Sequence, residues 1–369
     1  MRRKRILLLS EGFGAGHTQA AYALAAGLRL LSPGLSTRVL ELGSFLHPTL
    51  APLIFSAYRK TITSRPKLYS FVYRTQYNKS LNRLARLTLH RVFYRQLSEI
   101  IRQLKPDAIV CTHPFPNAAV SRLKRSGLSV PLCTVITDYG AHGTWISPEV
   151  NKYLVSTAEV KLKLAERGVP EANIEVTGIP VHPKFWQHHD KQQLREQFGL
   201  KPMPTVLVMG GGWGLFRENE VIQPILEWSD RLQFILCMGS NEKELNRLAE
   251  DPRFRSPNIR LLGFTREVDK LMDLSDLLIT KPGGMTCTEA MAKGLPMLFH
   301  SPLPGQEEEN CRYFTANGFG EQITSAKTVE TWFEKLVNGM GERLQGRAAS
   351  PNERASDPRN CCRAILELL

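Results

Sequence analysis

A glycine-rich turn followed by a histidine stands near the start of the sequence. Gly12-Phe13-Gly14-Ala15-Gly16-His17 follows the apolar run Arg5–Ser10, which is typical of a buried β-strand. Glycines there let the backbone approach a bound group, and the helix that begins there offers free N–H donors. The spacing first suggests a dinucleotide fingerprint with Glu41 as ribose ligand, but His17 stands where the third glycine is required. His17 is therefore a candidate general base at a sheet edge; the alternative is a histidine that only caps the helix.

A second candidate for proton transfer follows another predicted strand. Asp138 comes directly after the run Leu132–Thr137, and His142 and Trp145 follow it. An aspartate at the carboxyl end of a parallel strand faces the same crevice as a glycine turn after a strand. Asp138 is thus a candidate to orient an imidazole or to act as the base itself, and a turn or capping aspartate is the structural alternative. The residues leave the choice of base open.

Two further glycine turns in the second half suit a phosphorylated ligand. Gly210-Gly211-Gly212-Trp213-Gly214 follows an apolar run, and Lys281-Pro282-Gly283-Gly284-Met285-Thr286 follows another. Backbone N–H groups at such turns bind phosphate oxygens, and no Gly-Lys-Ser/Thr is present to make a Walker loop. Glu289, one turn into the following helix, is placed to take both hydroxyls of a ribose. Pro304–Asn310 then supplies amides and carboxylates that suit sugar hydroxyls.

The sequence also lacks several catalytic motifs. It has no Asp-x-Asp, so the metal clamp on a sugar diphosphate has no candidate ligands, and we expect no metal and no required cofactor. A helix dipole and backbone amides are expected to stabilise the leaving group instead. Neither a Gly-x-Ser-x-Gly elbow nor a His-Glu-x-x-His motif occurs.

The elements that must position these residues alternate along the chain, short apolar runs with helical stretches. In the first half the predicted strands are Arg5–Ser10, Thr37–Leu42, Ala108–Thr112, Leu132–Thr137, Lys152–Val155 and Ile174–Thr177. In the second half they are Val206–Met209, Gln233–Cys237, Ile259–Leu262, Leu277–Thr280 and Met297–His300. This predicts an α/β protein of two tandem doubly wound, Rossmann-like domains. Their predicted extents are 1–185, with a basic helical insertion at about 48–104, and 186–345, before a polar linker and C-terminal helix at 346–369.

The positive charge is concentrated in the first half of the chain. Residues 1–185 contain 26 Lys and Arg against 10 Asp and Glu, whereas residues 186–369 contain 22 against 25. The stretch Leu42–Ser98 has ten basic residues and no acidic one. A surface of one charge sign attracts polyanions, meaning nucleic acid or anionic lipid. The alternative is that these basic residues only form a solvated face. No recognised nucleic-acid motif is present in this stretch, and aromatic residues lie among its cations. The family resemblance described below, with its lipid acceptor, implies an anionic membrane surface as the partner, and no nucleic acid.

The predicted location is the cytoplasm, with peripheral association at the inner face of the cell membrane. Seven scattered cysteines form no Cys-x-x-Cys pair, which is typical of a reducing compartment. The apolar run Ile6–Leu9 is shorter than a signal-peptide core, and no stretch has the roughly 18–20 apolar residues of a membrane span.

Taken together, these motifs resemble the monogalactosyldiacylglycerol synthase and processive diacylglycerol glucosyltransferase family, of the glycosyltransferase family 28 type. The segments that carry the resemblance are Gly12–His17, Val135–Asp138, Val176–Val181, Met209–Gly214, Leu262–Phe264, Lys281–Pro296 and Pro304–Asn310. The family implies a GT-B fold, in which two such domains face a central cleft, and an inverting transfer of a hexose. The implied donor is UDP-glucose or UDP-galactose, and the implied acceptor is a diacylglycerol-type lipid. A UDP-N-acetylglucosamine-dependent transferase acting on a polyprenyl-linked or other acceptor is the alternative.

The resemblance also implies roles for individual residues. His17 and Asp138 match the family's active-site histidine and strand-end aspartate. The implied donor-binding residues are Gly211, Gly212, Phe264, Gly283, Gly284, Met285, Thr286, Glu289, Gln306 and Glu307. The residues predicted to meet the acceptor or the membrane are Gly14, Gly16, Arg59, Lys60, Tyr69, Tyr73, His142 and Trp145.

Overall fold

The chain forms two compact units, seen in a computed structural model that describes residues 3–64, 95–210, 219–303, 305–339 and 357–369. The first unit comprises Met1–Pro183, Leu303–Gln306 and Ser356–Leu369, and the second comprises Lys184–Pro302 and Glu307–Ala355. Each unit contains one six-stranded sheet in which every described pair of neighbouring strands is parallel.

In the first unit the strand order is β2-β1-β3-β4-β5-β6. The strands are β1 (Arg5–Ser10), β2 (Ser36–Glu41), β3 (Ala108–Cys111), β4 (Leu132–Val135), β5 (Lys152–Val155) and β6 (Ile174–Val176). The helices are α1 (Ala15–Leu31), α2 (Leu42–Leu46), α3 (Ala51–Ser64), α4 (Leu97–Leu104), α5 (Pro114–Arg125) and α6 (Ala158–Glu166). Short 3-10 turns lie at Gly143–Trp145 and Glu171–Asn173, and a third, Pro183–Trp186, leads into the second unit.

The second unit has the strand order β12-β11-β10-β7-β8-β9. Its strands are β7 (Thr205–Met209), β8 (Gln233–Cys237), β9 (Ile259–Leu262), β10 (Leu277–Thr280), β11 (Met297–Phe299) and β12 (Gly320–Gln322). Its helices are α7 (Lys191–Gln197), α8 (Asn219–Glu227), α9 (Glu242–Glu250), α10 (Val268–Leu274), α11 (Gly284–Ala292), α12 (Gln306–Ala316) and α13 (Ala326–Val337), with a 3-10 turn at Pro252–Phe254.

The first sheet is covered on both faces, which explains why its central strands β1, β3 and β4 are mainly apolar, whereas the edge strand β2 is largely polar. Along β1, Leu7 and Leu9 belong to one buried cluster and Ile6 and Leu8 to another, as the alternation of side chains along a strand requires. The second cluster includes the terminal helix α14 (Asn360–Leu366), whose Cys361 and Cys362 are each 1% exposed. The end of the chain is therefore part of the core of the first unit.

The fold class predicted from the sequence is confirmed, and the predicted strands agree with the observed ones to within two residues at each end. Strand β12 and the short helices α2 and α7 were not predicted. β12 has only three residues and begins with Gly320, where an added Cβ would collide with the Met297 carbonyl oxygen. Close approach to β11, rather than strand propensity, selects the residue there. No helix in the described ranges is long and apolar enough to cross a membrane.

Candidate functional site

In the first unit the predicted catalytic residues follow neighbouring strands. The order β2-β1-β3 reverses direction between β1 and β3, and open α/β sheets bind ligands beside the carboxyl ends of strands at such a point. The turn after β1 leads to His17, His113 follows β3, and Thr137 and Asp138 follow β4. Because the three strands are adjacent and parallel, these residues are all brought to one edge of the sheet.

His17 is held by contacts to both its ring and its backbone. Its Nδ1 lies 2.8 Å from Thr137 Oγ1, and its carbonyl oxygen accepts a 2.9 Å hydrogen bond from Thr112 Oγ1. The His113 ring meets it edge-on with centroids 4.8 Å apart, and the Trp145 ring lies 6.0 Å away. Burial lowers the pKa of His17 to about 4. The imidazole is therefore neutral at pH 7, the form that can accept a proton.

Two more histidines, neither predicted to be catalytic, surround this ring. Burial and the neighbouring His17 and His142 hold the pKa of His113 well below its usual range. Burial, with His17 and Arg167, lowers the pKa of His142 to about 4, and its Nδ1 is hydrogen-bonded to Thr144 Oγ1. His113 is a functional candidate missed in the sequence, although its place directly after β3 was a usable signal. Trp145 is 0% exposed and packs beside His17 instead of being presented at the surface.

Asp138 lies one residue beyond the hydroxyl that contacts His17. It is 4% exposed, and its carbonyl oxygen accepts a 2.8 Å hydrogen bond from Ser156 Oγ. The side chain at His17 Nδ1 is that of Thr137, so Thr137, rather than Asp138, stands where an orienting group is needed. This contact was not predicted, because the sequence does not show which of two adjacent side chains turns towards the ring.

The first glycine turn is packed against an aromatic cluster formed by Phe13, Phe55, His113 and Phe115. The Phe13 ring lies 4.9 Å from Phe55, 5.7 Å from His113 and 5.4 Å from Phe115. A Cβ at Gly12 would lie 2.8 Å from the Phe55 ring, so glycine is needed for this contact. Helix α3, which carries the first two cations of the basic stretch, is thereby joined to the turn that leads to His17. Gly14, the N-cap of α1, and Gly16, in the first turn of that helix, are half-buried.

Glu41, considered as a ribose ligand, instead stabilises the start of α1. Its Oε1 accepts a 2.7 Å hydrogen bond from Thr18 Oγ1, which lies 3.3 Å from Ser10 Oγ. Its Oε2 accepts a 3.4 Å hydrogen bond from Ser44. This chain of hydrogen bonds joins β1, α1 and α2 directly beside His17.

The donor-type residues of the second unit lie at its own reversal point, between β7 and β10. The turn after β7 is described only to Gly210, so Gly211, Gly212 and Gly214 lie outside the described residues. After β10, the extended Gly283 caps α11, whose first residue is Gly284. Asn310 of α12 donates a 3.1 Å hydrogen bond to the Pro282 carbonyl oxygen and so fixes this turn.

Glu289, on α11, has a carboxyl group with a strongly shifted pKa. Burial raises its pKa to about 7; Lys184 opposes the shift and Asp269 adds to it. Lys184 Nζ lies 3.3 Å from Asp269 Oδ1 and donates a 2.7 Å hydrogen bond to the Arg266 carbonyl oxygen. Lys184 and Asp269 are therefore further members of the Glu289 environment, and the sequence, which separates them widely, did not suggest them.

The other predicted donor residues have varied surroundings. Phe264, just beyond β9, is 73% exposed, which leaves its ring free to stack on a planar base. Met285 is buried, Thr286 is half-buried, and Gln306 and Glu307 are half-buried in the first turn of α12.

Of the predicted acceptor residues, Tyr69 and Tyr73 lie outside the described residues, and only the backbone of Arg59 and Lys60 is described. Within the described part of the chain, no group of three or more His, Cys, Asp or Glu could hold a metal ion.

Comparison with known proteins places these motifs in a family. Residues 17–181 match the family described as monogalactosyldiacylglycerol (MGDG) synthase, and residues 205–360 match the glycosyltransferase family 28 C-terminal domain. A Staphylococcus epidermidis protein named processive diacylglycerol beta-glucosyltransferase is 33% identical over 371 residues, covering 100% of this chain and 94% of its own. The chain belongs to this family of glycosyltransferases. The resemblance inferred from the motifs is thereby confirmed.

Other matches of this glycosyltransferase also extend over its whole length. A Staphylococcus aureus (strain Newman) protein with the same name is 30% identical over 378 residues, covering 100% of this chain and 94% of its own. A solved structure described as the glycotransferase of kitacinnamycin has a TM-score of 0.64 at 14% identity and covers 100% of both chains. At that identity the likeness concerns the fold alone, and it supports the GT-B class of two Rossmann-like halves.

Proposed function

We propose that this protein transfers a hexose from a UDP-sugar to a diacylglycerol-type lipid at a membrane surface, with inversion, to give a β-glycolipid. The observation that carries the proposal is the 33% identity, over the whole chain, to a processive diacylglycerol beta-glucosyltransferase. The two sheet edges support it, since one offers a neutral imidazole and the other a carboxylate beside a helix N-terminus. We further propose acceptor recognition by residues 1–185 and donor recognition by residues 186–345.

Inversion requires one direct displacement at the anomeric carbon. The acceptor hydroxyl loses its proton to a base, its oxygen forms the new bond to the anomeric carbon, and the bond to the UDP oxygen breaks. His17 or Asp138 is the base in this scheme, and the lowered pKa of His17 keeps it ready to accept the proton. UDP leaves with the electron pair of the broken bond.

On the donor side we propose that Glu289 accepts hydrogen bonds from the ribose hydroxyls. The N-terminus of α11, which follows the N-cap Gly283, faces the diphosphate with the backbone N–H groups of Gly284 and Thr286 and the positive end of the helix dipole. The N–H of Gly283 itself donates a 2.8 Å hydrogen bond to the Lys281 carbonyl oxygen, so Gly283 shapes the turn. Phe264 is placed beside uracil, while Gln306 and Glu307 of α12 contact the sugar. Gly211 and Gly212 complete the phosphate region and Met285 packs beneath it. No metal is required in this scheme.

A direct assay tests the function. The protein is incubated with UDP-glucose, UDP-galactose or UDP-N-acetylglucosamine and diacylglycerol in anionic vesicles, while UDP release and lipid products are measured together. Glycolipid formation with a hexose donor is expected. Transfer only from UDP-N-acetylglucosamine to a polyprenyl-linked acceptor would replace the proposal with the alternative.

Replacing Glu289 with glutamine tests the donor site. We expect UDP-sugar affinity, measured by calorimetry, to fall about 10- to 100-fold at pH 8, because hydrogen bonds to an ionised group are lost. In the wild type, affinity should strengthen from pH 6 to pH 8, since a carboxylate with a pKa of about 7 ionises over that range. Glu289→Gln should lose this dependence. Glu334→Gln, on an exposed part of α13, is the matched control, and unchanged affinity in Glu289→Gln would show that the donor site is misassigned.

A membrane-facing surface is proposed at the start of the basic stretch, with the protein held peripherally at the inner face of the cell membrane. Three large apolar side chains are exposed there: Phe45 (49%), Leu50 (42%) and Leu53 (67%). They lie on α2, on the following loop and on α3, inside the stretch Leu42–Ser98 and before the first of its ten cations, Arg59. Exposed apolar residues next to cations are typical of surfaces that bind anionic bilayers.

The variant Leu53→Asp tests this surface. We expect roughly tenfold weaker binding to vesicles containing anionic lipid in a sedimentation assay, because an inserted apolar group is replaced by a repelled charge. Leu162→Asp is the matched control, since Leu162 is 59% exposed on α6 of the same unit, far along the chain from the basic stretch. Binding should also weaken as salt rises. Equal binding to neutral vesicles at high salt contradicts the electrostatic part.

A further inference from the structure

The ring of His17 is contacted at Nδ1 by a neutral hydroxyl. Thr137 Oγ1 lies 2.8 Å from that nitrogen, and Thr137 is 3% exposed at the end of β4. The ring is packed by His113 on its edge and by Trp145, so its orientation is restricted by neighbours from two other elements. Thr137 is therefore the hydrogen-bonding group that distinguishes the two ring nitrogens.

A hydroxyl can donate or accept, and the two cases give opposite chemistry. If Thr137 donates to Nδ1, the neutral imidazole carries its proton on Nε2 and cannot act there as a base. If Thr137 accepts from Nδ1–H, Nε2 has a lone pair. Only the second arrangement suits proton abstraction at Nε2.

We propose that Thr137 is a positioning residue, which accepts a hydrogen bond from Nδ1–H of His17 and so keeps Nε2 as the nitrogen that takes the acceptor's proton. The proposal rests on the transfer reaction proposed above. The proton moves from the acceptor hydroxyl to Nε2, the oxygen bonds to the anomeric carbon, and UDP leaves with the electron pair of the broken bond. The resulting imidazolium carries a proton on each nitrogen and still donates from Nδ1 to Thr137.

A hydroxyl at this place differs from a carboxylate in its effect on charge. A carboxylate at Nδ1 favours the imidazolium and raises the histidine pKa, whereas a hydroxyl orients the ring without supplying charge. The pKa of His17, lowered to about 4 by burial, agrees with a neutral partner. Thr137 thus fixes the tautomer while the ring stays unprotonated at physiological pH.

Two variants and a matched control test this role. Thr137→Val removes the hydroxyl at nearly constant volume, and Thr137→Ser retains it. Thr112→Val is the control, because the Thr112 hydroxyl also bonds to His17 but at the backbone carbonyl oxygen. The measurements are kcat and KM for the UDP-sugar and ¹⁵N NMR of histidine-labelled protein, with the His17 signals assigned by their loss in His17→Gln.

We expect Nδ1–H in the wild type, in Thr137→Ser and in Thr112→Val. Thr137→Val should lose this preference and show kcat lowered roughly tenfold or more with KM for the UDP-sugar little changed. Thr137→Ser should restore most of the rate. A wild-type spectrum with the proton on Nε2 overturns the proposal without any variant, as does Thr137→Val with wild-type kcat and tautomer. Absence of any hexose transfer by the wild type overturns the proposed function instead, and the spectrum still decides which nitrogen of His17 carries the proton.

Discussion

Replacement of His17 by glutamine is expected to lower kcat for hexose transfer by roughly 10²- to 10⁴-fold, the usual contribution of a general base. Glutamine keeps much of the volume and can still bond to Thr137, but it cannot take a proton from the acceptor. His17 lies in the first unit and the proposed donor residues lie almost entirely in the second. The affinity for UDP-sugar should therefore change little, which calorimetry can check alongside the rate.

The same assay, repeated at different pH values, tests how kcat depends on the protonation of His17. A base works in its unprotonated form, and the pKa of His17 is lowered to about 4. With saturating donor, kcat should therefore hold from pH 8 down to about pH 5 and fall only as the pH approaches 4. A fall in kcat centred near pH 6.5 would indicate a histidine with an ordinary pKa.

Asp138→Asn completes the comparison between the two candidate bases. If His17→Gln keeps full activity while Asp138→Asn loses it, Asp138 is the base and His17 is structural. If both lose activity, the tautomer of His17 in Asp138→Asn distinguishes a direct role of the aspartate from an effect on the ring.

The sequence predicted which edge of each sheet carries the candidate site residues, but only part of what surrounds them. His17, Asp138 and Glu289 were proposed because each comes after a strand whose apolar run is easily recognised, and parallel strands bring such residues to one edge. Thr137 was not found, since neighbouring residues at a strand end differ only in side-chain direction. His113 was missed because its place near His17 depends on β3 lying beside β1. The alternation of strands and helices along the sequence does not predict which strands are neighbours.

The surroundings of Glu289 show a second limit of prediction from the sequence. Lys184 and Asp269 act on its pKa, although they stand 105 and 20 residues earlier in the chain. These charges come from three separate elements, the 3-10 turn Pro183–Trp186, α10 and α11, and only the fold brings them together. A carboxylate at a helix start can be predicted from the sequence, whereas a pKa of about 7 requires the fold.

Asp273→Ala is expected to cause a large loss of stability, because Asp273 is the buried partner of a buried cation. Its side chain is 3% exposed, and its Oδ2 lies 2.7 Å from Lys293 Nζ, whose side chain is 0% exposed. The same oxygen accepts hydrogen bonds from the backbone N–H of His189, at 3.1 Å, and from Nδ1 of His189, at 2.7 Å when that nitrogen carries its proton. Removal of one partner leaves the Lys293 charge buried, so the free energy of unfolding should fall by about 3–5 kcal/mol in urea titrations.

Two comparisons isolate the buried charge as the cause. Glu159→Ala breaks the solvent-exposed Lys163–Glu159 pair, whose N···O distance is also 2.7 Å, and should cost no more than about 1 kcal/mol. The double variant Asp273→Leu/Lys293→Met removes both charges and fills the space, so it should recover much of the stability lost in Asp273→Ala. If the double variant is as unstable as the single one, the hydrogen bonds to His189 and the local packing, rather than the unpaired Lys293, account for the loss. In that case Asp273 serves mainly to hold the chain at His188 and His189 against α10, and His189→Ala should reproduce most of the effect.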